Sequence, residues 1–164
     1  MNSRVQAGFT RVELIVVIVV LGILAAVAVP RFMGPGTEAR VEAVKSMGGT
    51  LKSAANMAHD VCVAQACAND STITIQGQAI TFVSGYPNDA TIGRLVRGLE
   101  GFTPNGPGNH FTRNGSRTDR CWVGYRQATV VDDVVQPPSI VYESGIITDT
   151  TSENAVNTAL RKAC

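Results

Sequence analysis

Charge is what this 164-residue chain has little of. Asp, Glu, Lys and Arg together make up 16% of it, whereas they make up about 25% of an average soluble domain. The 14 basic and 13 acidic residues nearly cancel and leave a net charge of +1. Without a basic excess the chain lacks the electrostatic footprint of a nucleic-acid-binding protein, so we expect no nucleic-acid partner. Part of the deficit lies near the N-terminus, where residues 14–29 include no ionisable side chain.

The sequence also lacks the short motifs of common enzyme classes. It contains no G-x-S-x-G elbow, no phosphate-binding Walker loop and no H-E-x-x-H zinc motif. The adjacent carboxylates Asp132 and Asp133 would point to opposite faces of a strand, which makes them a poor acid–base pair. No C-x-x-C occurs, and neither His59 nor His110 has a second histidine at metal-ligand spacing. We therefore predict a protein that is not an enzyme, with no catalytic residue, no metal and no cofactor.

The four cysteines are Cys62, Cys67, Cys121 and Cys164. An even number of cysteines behind a hydrophobic N-terminal segment indicates disulfides formed in an oxidising compartment. Three pairings are open. We favour Cys62–Cys67, because the two lie close together in sequence, combined with Cys121–Cys164, which closes the chain end.

A long apolar run is the most prominent feature that the sequence does have. Residues 9–29, as a helix, would extend for about 31 Å, which matches the ~30 Å hydrocarbon core of a bilayer. Arg4 and Arg11 favour a cytoplasmic N-terminus. One interpretation is a conventional signal peptide cleaved after the A-x-A sequence at 26–28, which would release a soluble, disulfide-stapled periplasmic binding domain that begins near Val29. A plain membrane anchor is a second interpretation.

The stretch GFTRVEL at residues 8–14 resembles the processing site of type IV pilins and type II secretion pseudopilins. In that family a prepilin peptidase cleaves a short basic leader after its final Gly and methylates the new N-terminus. The resemblance implies a leader at 1–8, cleavage between Gly8 and Phe9, and an N-methylated Phe9. The family usually carries an apolar residue where Arg11 stands, so Arg11 must pair, for example with Glu13, or reach a polar region with its long stem.

Glu13 stands at the family's position for an essential glutamate. A carboxylate in an apolar environment is costly unless it is paired. The resemblance implies that Glu13 of a subunit already in the filament receives the Phe9 ammonium of the incoming subunit, and that this pair sets the register between helices. The same helix would lie in lipid before assembly and against its own copies afterwards.

The helix is expected to break after this run. Pro30 lacks a backbone donor and the GPG sequence of Gly34, Pro35 and Gly36 lowers helical propensity, so the helix should kink or melt there. In the family, local unwinding makes the fibre extensible. A helical pattern resumes at about Thr37 and continues to Val61, with apolar residues at three- and four-residue steps.

The remaining segments predict an antiparallel sheet. We expect a hairpin over 72–83, a short helix or turn at 91–101, a loop at 103–119, further strands within 121–131 and 139–149, and a short helix at 152–164. The fold class is therefore α+β: a long N-terminal helix packed on an antiparallel sheet, as the pilin fold implies. Residues 9–30 would form the transmembrane and assembly helix, and 31–164 the periplasmic or extracellular head, with Cys121–Cys164 bounding an exposed D-region.

The resemblance implies a structural subunit that polymerises with itself, with a prepilin peptidase, the inner-membrane assembly machinery and the membrane as its other partners. Residues 72–99 also resemble the mannose-sensitive haemagglutinin type of pilin, which implies a major pilin used in attachment. A pseudopilin or a minor pilin is the alternative within the family. The implied location is the inner membrane for a single-pass precursor, and then a pilus on the surface of a Gram-negative cell.

Overall fold

The computed structural model describes residues 10–33, 36–116, 120–143, 145–147 and 152–164. The chain divides into two units, Met1–Gly36 and Thr37–Cys164. Helix α1 spans Arg11–Met33 and lies in the first unit. Helix α2, Gly36–Ala64, follows.

Helix α2 carries the apolar stripe that the sequence predicts. Its buried residues recur at three- and four-residue steps and form much of the core of the second unit. They are Val41, Val44, Met47, Gly48, Leu51, Ala54, Ala55, Ala58 and Cys62. Met57 is 38% exposed because it lies off this stripe. The helix continues three residues beyond the predicted end at Val61.

Ten strands and two further helical elements complete the described chain. The strands are β1 Thr72–Ile75, β2 Gln78–Val83, β3 Tyr86–Pro87, β4 Phe102–Asn105, β5 His110–Arg113, β6 Trp122–Arg126, β7 Thr129–Val131, β8 Val134–Gln136, β9 Ser139–Tyr142 and β10 Gly145–Ile147. A 3₁₀ turn spans Ile92–Arg94, and helix α3 spans Glu153–Ala163. The strands form a three-stranded sheet β1-β2-β3, a five-stranded sheet β10-β9-β6-β5-β4 and the separate pair β7-β8.

The predicted hairpin over 72–83 is confirmed as β1 and β2, which pair antiparallel across a turn at Gln76 and Gly77. Both turn residues have positive φ, 50° and 78°, as a two-residue hairpin turn requires. His59 reaches this sheet from α2. Its Nδ1 lies 2.8 Å from the Gly85 carbonyl oxygen, and its ring stacks on Tyr86 with centroids 4.1 Å apart.

The expected loop at 103–119 is wrong over its first part, because β4 and β5 form a hairpin there. The Gly- and Asn-rich composition reflects the turn between the strands, at 106–109. Pro104 fits a strand because β4 lies at the edge of its sheet. Proline lacks a backbone N–H, and on the open side of an edge strand no neighbouring strand needs that donor. Phe111 of β5 is 1% exposed and belongs to the core.

Asp132 and Asp133 also differ from expectation. They are not strand residues on opposite faces but the two-residue turn between β7 and β8, with φ of 51° and 61°. Asp tolerates this left-handed conformation better than most residues do.

The C-terminal segment forms helix α3 as predicted, with Ser152 at its N-cap position. Val156 and Leu160 bury one face of α3 in the core. The polar face is tied to α2 by two ion pairs, Lys45–Glu153 at 3.0 Å and Arg161–Glu38 at 3.2 Å. The predicted α+β class is confirmed, with α2 packed on antiparallel sheets.

Candidate assembly site

The sequence places the candidate site at the start of α1. Gly8 and Phe9, the expected cleavage pair, lie outside the described residues, so the described part of the site begins at Thr10. The Thr10 backbone N–H and its hydroxyl both donate to Glu13 Oε2, at 2.8 and 2.9 Å. In return the Glu13 backbone N–H donates to Thr10 Oγ1 at 3.2 Å.

This reciprocal arrangement is a capping box, in which Thr-x-x-Glu satisfies backbone donors at a helix start. Sequence reasoning missed Thr10, although the T-R-V-E spacing is the signal that could have found it. Glu13 therefore helps to cap the N-terminus of its own helix, in addition to the intermolecular role that the family resemblance implies. Arg11, which lies between Thr10 and Glu13 in sequence, has an exposed side chain. The described hydrogen-bond partner of the Glu13 carboxylate is Thr10.

Helix α1 after Glu13 exposes apolar side chains in every direction. From Leu14 to Leu24 the large apolar residues are 47–62% exposed. A helix that is apolar all round is one that is buried by something else, either lipid or other protein. Its backbone groups are satisfied within the helix, so its surface can lie in either environment.

Small residues interrupt this surface. Among the described residues, nothing lies within 4 Å of the position that a Cβ on Gly22 would occupy. Small residues let helices approach one another closely. Within the part of the chain that the structure describes, no helix combines the length and apolar character needed to cross a membrane.

The expected helix break lies only partly in the described region. The helical assignment of α1 continues through Pro30 to Met33, and α2 begins at Gly36. Gly34 and Pro35 lie between the two helices and outside the described residues. A kink or unwinding between Pro30 and Gly36 stays a prediction.

The cysteines form the bonds Cys62–Cys67 and Cys121–Cys164, the pairing that we favoured from the sequence. The first bond joins the last turn of α2 to the loop that follows it. The second joins the residue before β6 to the residue after α3. Among the described residues no cluster of His, Cys, Asp and Glu is arranged to hold a metal ion.

Two buried tyrosines connect the sheet to its surroundings. Tyr125 donates its hydroxyl to the Pro87 carbonyl oxygen at 2.8 Å, which links β6 to β3. Burial raises the pKa of Tyr125 well above its usual range, and it also raises the pKa of Tyr142, which the nearby Lys45 opposes. Both hydroxyls therefore stay neutral at physiological pH.

Comparison with known proteins bears on the N-terminal segment. A family model described as the prokaryotic N-terminal methylation motif matches residues 3–29. Residues 3–29 of this chain therefore carry the prokaryotic N-terminal methylation motif. This confirms the resemblance seen in GFTRVEL, and the α+β architecture is consistent with the pilin fold.

Curated relatives of two kinds match parts of the chain. The type II secretion system core protein G of Pseudomonas aeruginosa is 46% identical over 55 residues, which is 34% of this chain and 37% of that protein. The type IV major fimbrial protein FimA of Dichelobacter nodosus is 38% identical over 52 residues, 32% of this chain and 33% of that protein. Core protein G of Aeromonas hydrophila is 44% identical over 57 residues, 35% of this chain and 40% of that protein.

The chain thus spans between a third and two fifths of the length of these relatives. No solved structure matches the chain. The matched relatives support a pilin-like subunit, and they include both a type IV major fimbrial protein and a type II secretion system core protein.

Proposed function

We propose that this chain is a structural subunit that polymerises through α1 into a type IV pilus-like filament after cleavage between Gly8 and Phe9. The observation that carries the proposal is the methylation motif over residues 3–29, in which Glu13 is the one acidic residue. Cleavage would create an ammonium at Phe9. A carboxylate that meets this ammonium away from water gains far more than the same pair would gain in solvent.

The exposed surface of α1 supports the same proposal. The eleven positions from 14 to 24 contain ten large apolar residues, which the described chain leaves about half exposed. The precursor would bury them in the inner membrane, with its N-terminus in the cytoplasm. The filament would bury them against copies of α1, so that transfer from lipid to filament exposes little apolar surface to water.

The finer proposal is a major pilin of the haemagglutinin-like type, used for attachment at the cell surface. Its partners would be the prepilin peptidase, the inner-membrane assembly machinery and further copies of the chain. The pseudopilin alternative is supported by the match to core protein G. Abundance distinguishes the two, because a major pilin would dominate the filaments sheared from cells, whereas a pseudopilin would stay with the cell envelope.

The alternative from another class is a soluble periplasmic domain released by a conventional signal peptidase. Mass spectrometry of the mature chain separates it from the filament proposal. An N-terminal methylated Phe9 supports the prepilin route, and a mature chain that begins near Val29 contradicts it.

Two substitutions separate the intermolecular role of Glu13 from its capping role. Glu13→Gln keeps the capping box, because Gln serves at this position as Glu does, but it removes the charge. Thr10→Ala removes the cap at a cost of about 1 kcal/mol of helix stability and keeps the charge. We expect Glu13→Gln chains to be processed and to stay in the membrane without forming filaments, and Thr10→Ala chains to form them.

The measurement is the amount of the chain in sheared filaments, relative to its total amount in the cell. Normal filament formation by Glu13→Gln would contradict the charge-pairing proposal. An equal loss in Thr10→Ala would assign the effect to helix capping instead.

A further inference from the structure

The hairpin β7–β8 is the most exposed apolar element of the second unit. Val130, Val131, Val134 and Val135 are 56%, 53%, 59% and 46% exposed. Val130 pairs with Val135 and Val131 with Val134, so one valine pair lies on each face of the hairpin. Its only charges are the two carboxylates of the turn, Asp132 and Asp133.

Such a hairpin needs contacts beyond its own two strands to be stable. A two-stranded hairpin alone is marginally stable in water, and within the described residues β7 and β8 pair with each other and with no further strand. Exposed apolar strands with open edges readily take up another protein surface. A surface that complements this hairpin would combine an apolar groove for a valine pair with a positive charge for the two carboxylates.

A groove at another place on the second unit has these properties. It has a volume of 320 Å³ and is lined mainly by apolar groups, among them Leu99, Pro104, Pro107 and Phe111. Arg94 is the charged residue among its lining residues. Its Nη1 donates to the Ala79 carbonyl oxygen at 2.8 Å, and because a guanidinium has five N–H donors, capacity remains for a carboxylate.

The surroundings of the groove do not reverse its charge. The exposed Arg97 and Glu100 follow Arg94 in sequence and carry opposite charges. Asp89, the residue before Ala90 of the lining, already accepts the Gln127 backbone N–H at 2.7 Å. Arg94 therefore sets the sign of the charge that faces an incoming group.

We propose that the β7–β8 hairpin of one copy docks into this groove on a second copy of the chain. Val131 and Val134, the pair next to the turn, enter the apolar part of the groove, and the carboxylates of Asp132 and Asp133 meet Arg94. The proposal rests on the proposed function, since it names a contact within the filament. The two surfaces are different patches of the same chain, so the contact is heterologous and can repeat without closing, as a filament requires.

A zero-length carbodiimide cross-link tests the ion pair directly, because this reagent joins a carboxylate only to an amine in contact with it. Arg94→Lys supplies the amine and keeps the charge. We expect filaments of this variant to yield a covalent dimer whose linked peptides join residue 94 to Asp132 or Asp133. The Lys45–Glu153 pair, 3.0 Å apart within one copy, is the internal control for the reaction.

Adding Asp132→Asn and Asp133→Asn should abolish the dimer, and Asn keeps the turn because it tolerates positive φ. A dimer that persists without these carboxylates, or filaments that show the Lys45–Glu153 link and no link to residue 94, would overturn the docking proposal. Filaments that fail to form from the unaltered chain would instead overturn the proposed function, so the two failures are distinguishable.

The two valine pairs provide a matched test of the docked face. Val131→Thr with Val134→Thr keeps β-branched side chains in the hairpin and makes the docked face polar. Val130→Thr with Val135→Thr makes the same change on the other face. We expect loss of the dimer in the first variant and retention in the second, while an equal loss in both would show that this face has no special role.

Discussion

Leucine occupies opposite environments in the two units of this chain. Leu51 of α2 is 0% exposed and Leu21 of α1 is 59% exposed. Both helices are long and both contain many apolar residues, but in α2 these form one stripe, whereas in α1 they surround the helix. The apolar stripe of α2 is therefore buried within one chain. The apolar surface of α1 stays exposed and is available for contact with its surroundings.

This division predicts which substitutions should change the stability of a single chain. Changes in the second unit alter the free energy of unfolding of a single chain. Changes on the surface of α1 should leave that quantity unaltered and, under the proposed function, act on membrane insertion or assembly. The fluorescence of Trp122, the single tryptophan of the chain, reports unfolding of the second unit in urea, with the full chain held in detergent micelles.

The largest effect is expected from the long-range disulfide. Cys121→Ala with Cys164→Ala opens a loop of sequence separation 43 and should lower the free energy of unfolding of the second unit by about 4 kcal/mol, by the chain-entropy estimate. The helicity of α1, measured by circular dichroism after the second unit has unfolded in urea, should stay as in the unaltered chain.

Cys62→Ala with Cys67→Ala is the matched control. This bond closes a loop of sequence separation 5, so its removal should cost about 2 kcal/mol on the same estimate. An equal loss of unfolding free energy from the two pairs would contradict the loop-length explanation, in which the bond that closes the longer loop stabilises the unit more.

The next effect comes from the two leucines. Leu51→Ala leaves a cavity in a packed core and should lower the free energy of unfolding by about 3 kcal/mol. Leu21→Ala removes the same atoms from an exposed position and should leave the urea midpoint unchanged. A comparable shift in both variants would show that α1 shares the core of the second unit.

The features that sequence predicted here are periodic or local. The stripe of α2 follows from three- and four-residue spacing, and the β1–β2 hairpin follows from alternation around Gly77. The expected processing stretch, GFTRVEL, is contiguous, so a candidate site can be proposed from the sequence, and cleavage between Gly8 and Phe9 stays a prediction.

The features that sequence did not predict depend on distant partners or on turn chemistry. The β4–β5 hairpin was hidden because glycines and Pro104 suggest a loop, and only the position of β4 at the end of its sheet makes Pro104 acceptable. His59 stacks on Tyr86, 27 positions along the chain, which no spacing rule reveals. The sequence predicts strand residues at Asp132 and Asp133, whereas their left-handed conformation makes them a turn.

The two adjacent glycines of α2 should show effects of opposite sign. A Cβ on Gly48 of α2 would collide with the Tyr142 hydroxyl and lie 3.2 Å from Ile140 Cγ2, so Gly48→Ala should cost about 1–3 kcal/mol through overpacking. Gly49 has nothing within 4 Å of its Cβ position among the described residues. Gly49→Ala should therefore stabilise α2 by up to about 1 kcal/mol through helix propensity alone.

Gly22 extends this test to α1, because the described chain leaves its Cβ position as open as that of Gly49. Gly22→Ala should leave the urea midpoint of the second unit unchanged, since Gly22 belongs to the other unit. In filaments the outcome should differ: if copies of α1 approach one another at Gly22, then Gly22→Leu lowers the amount of sheared filament while Gly49→Ala does not. Unchanged filament amounts with Gly22→Leu would mean that this face of α1 does not pack against another helix.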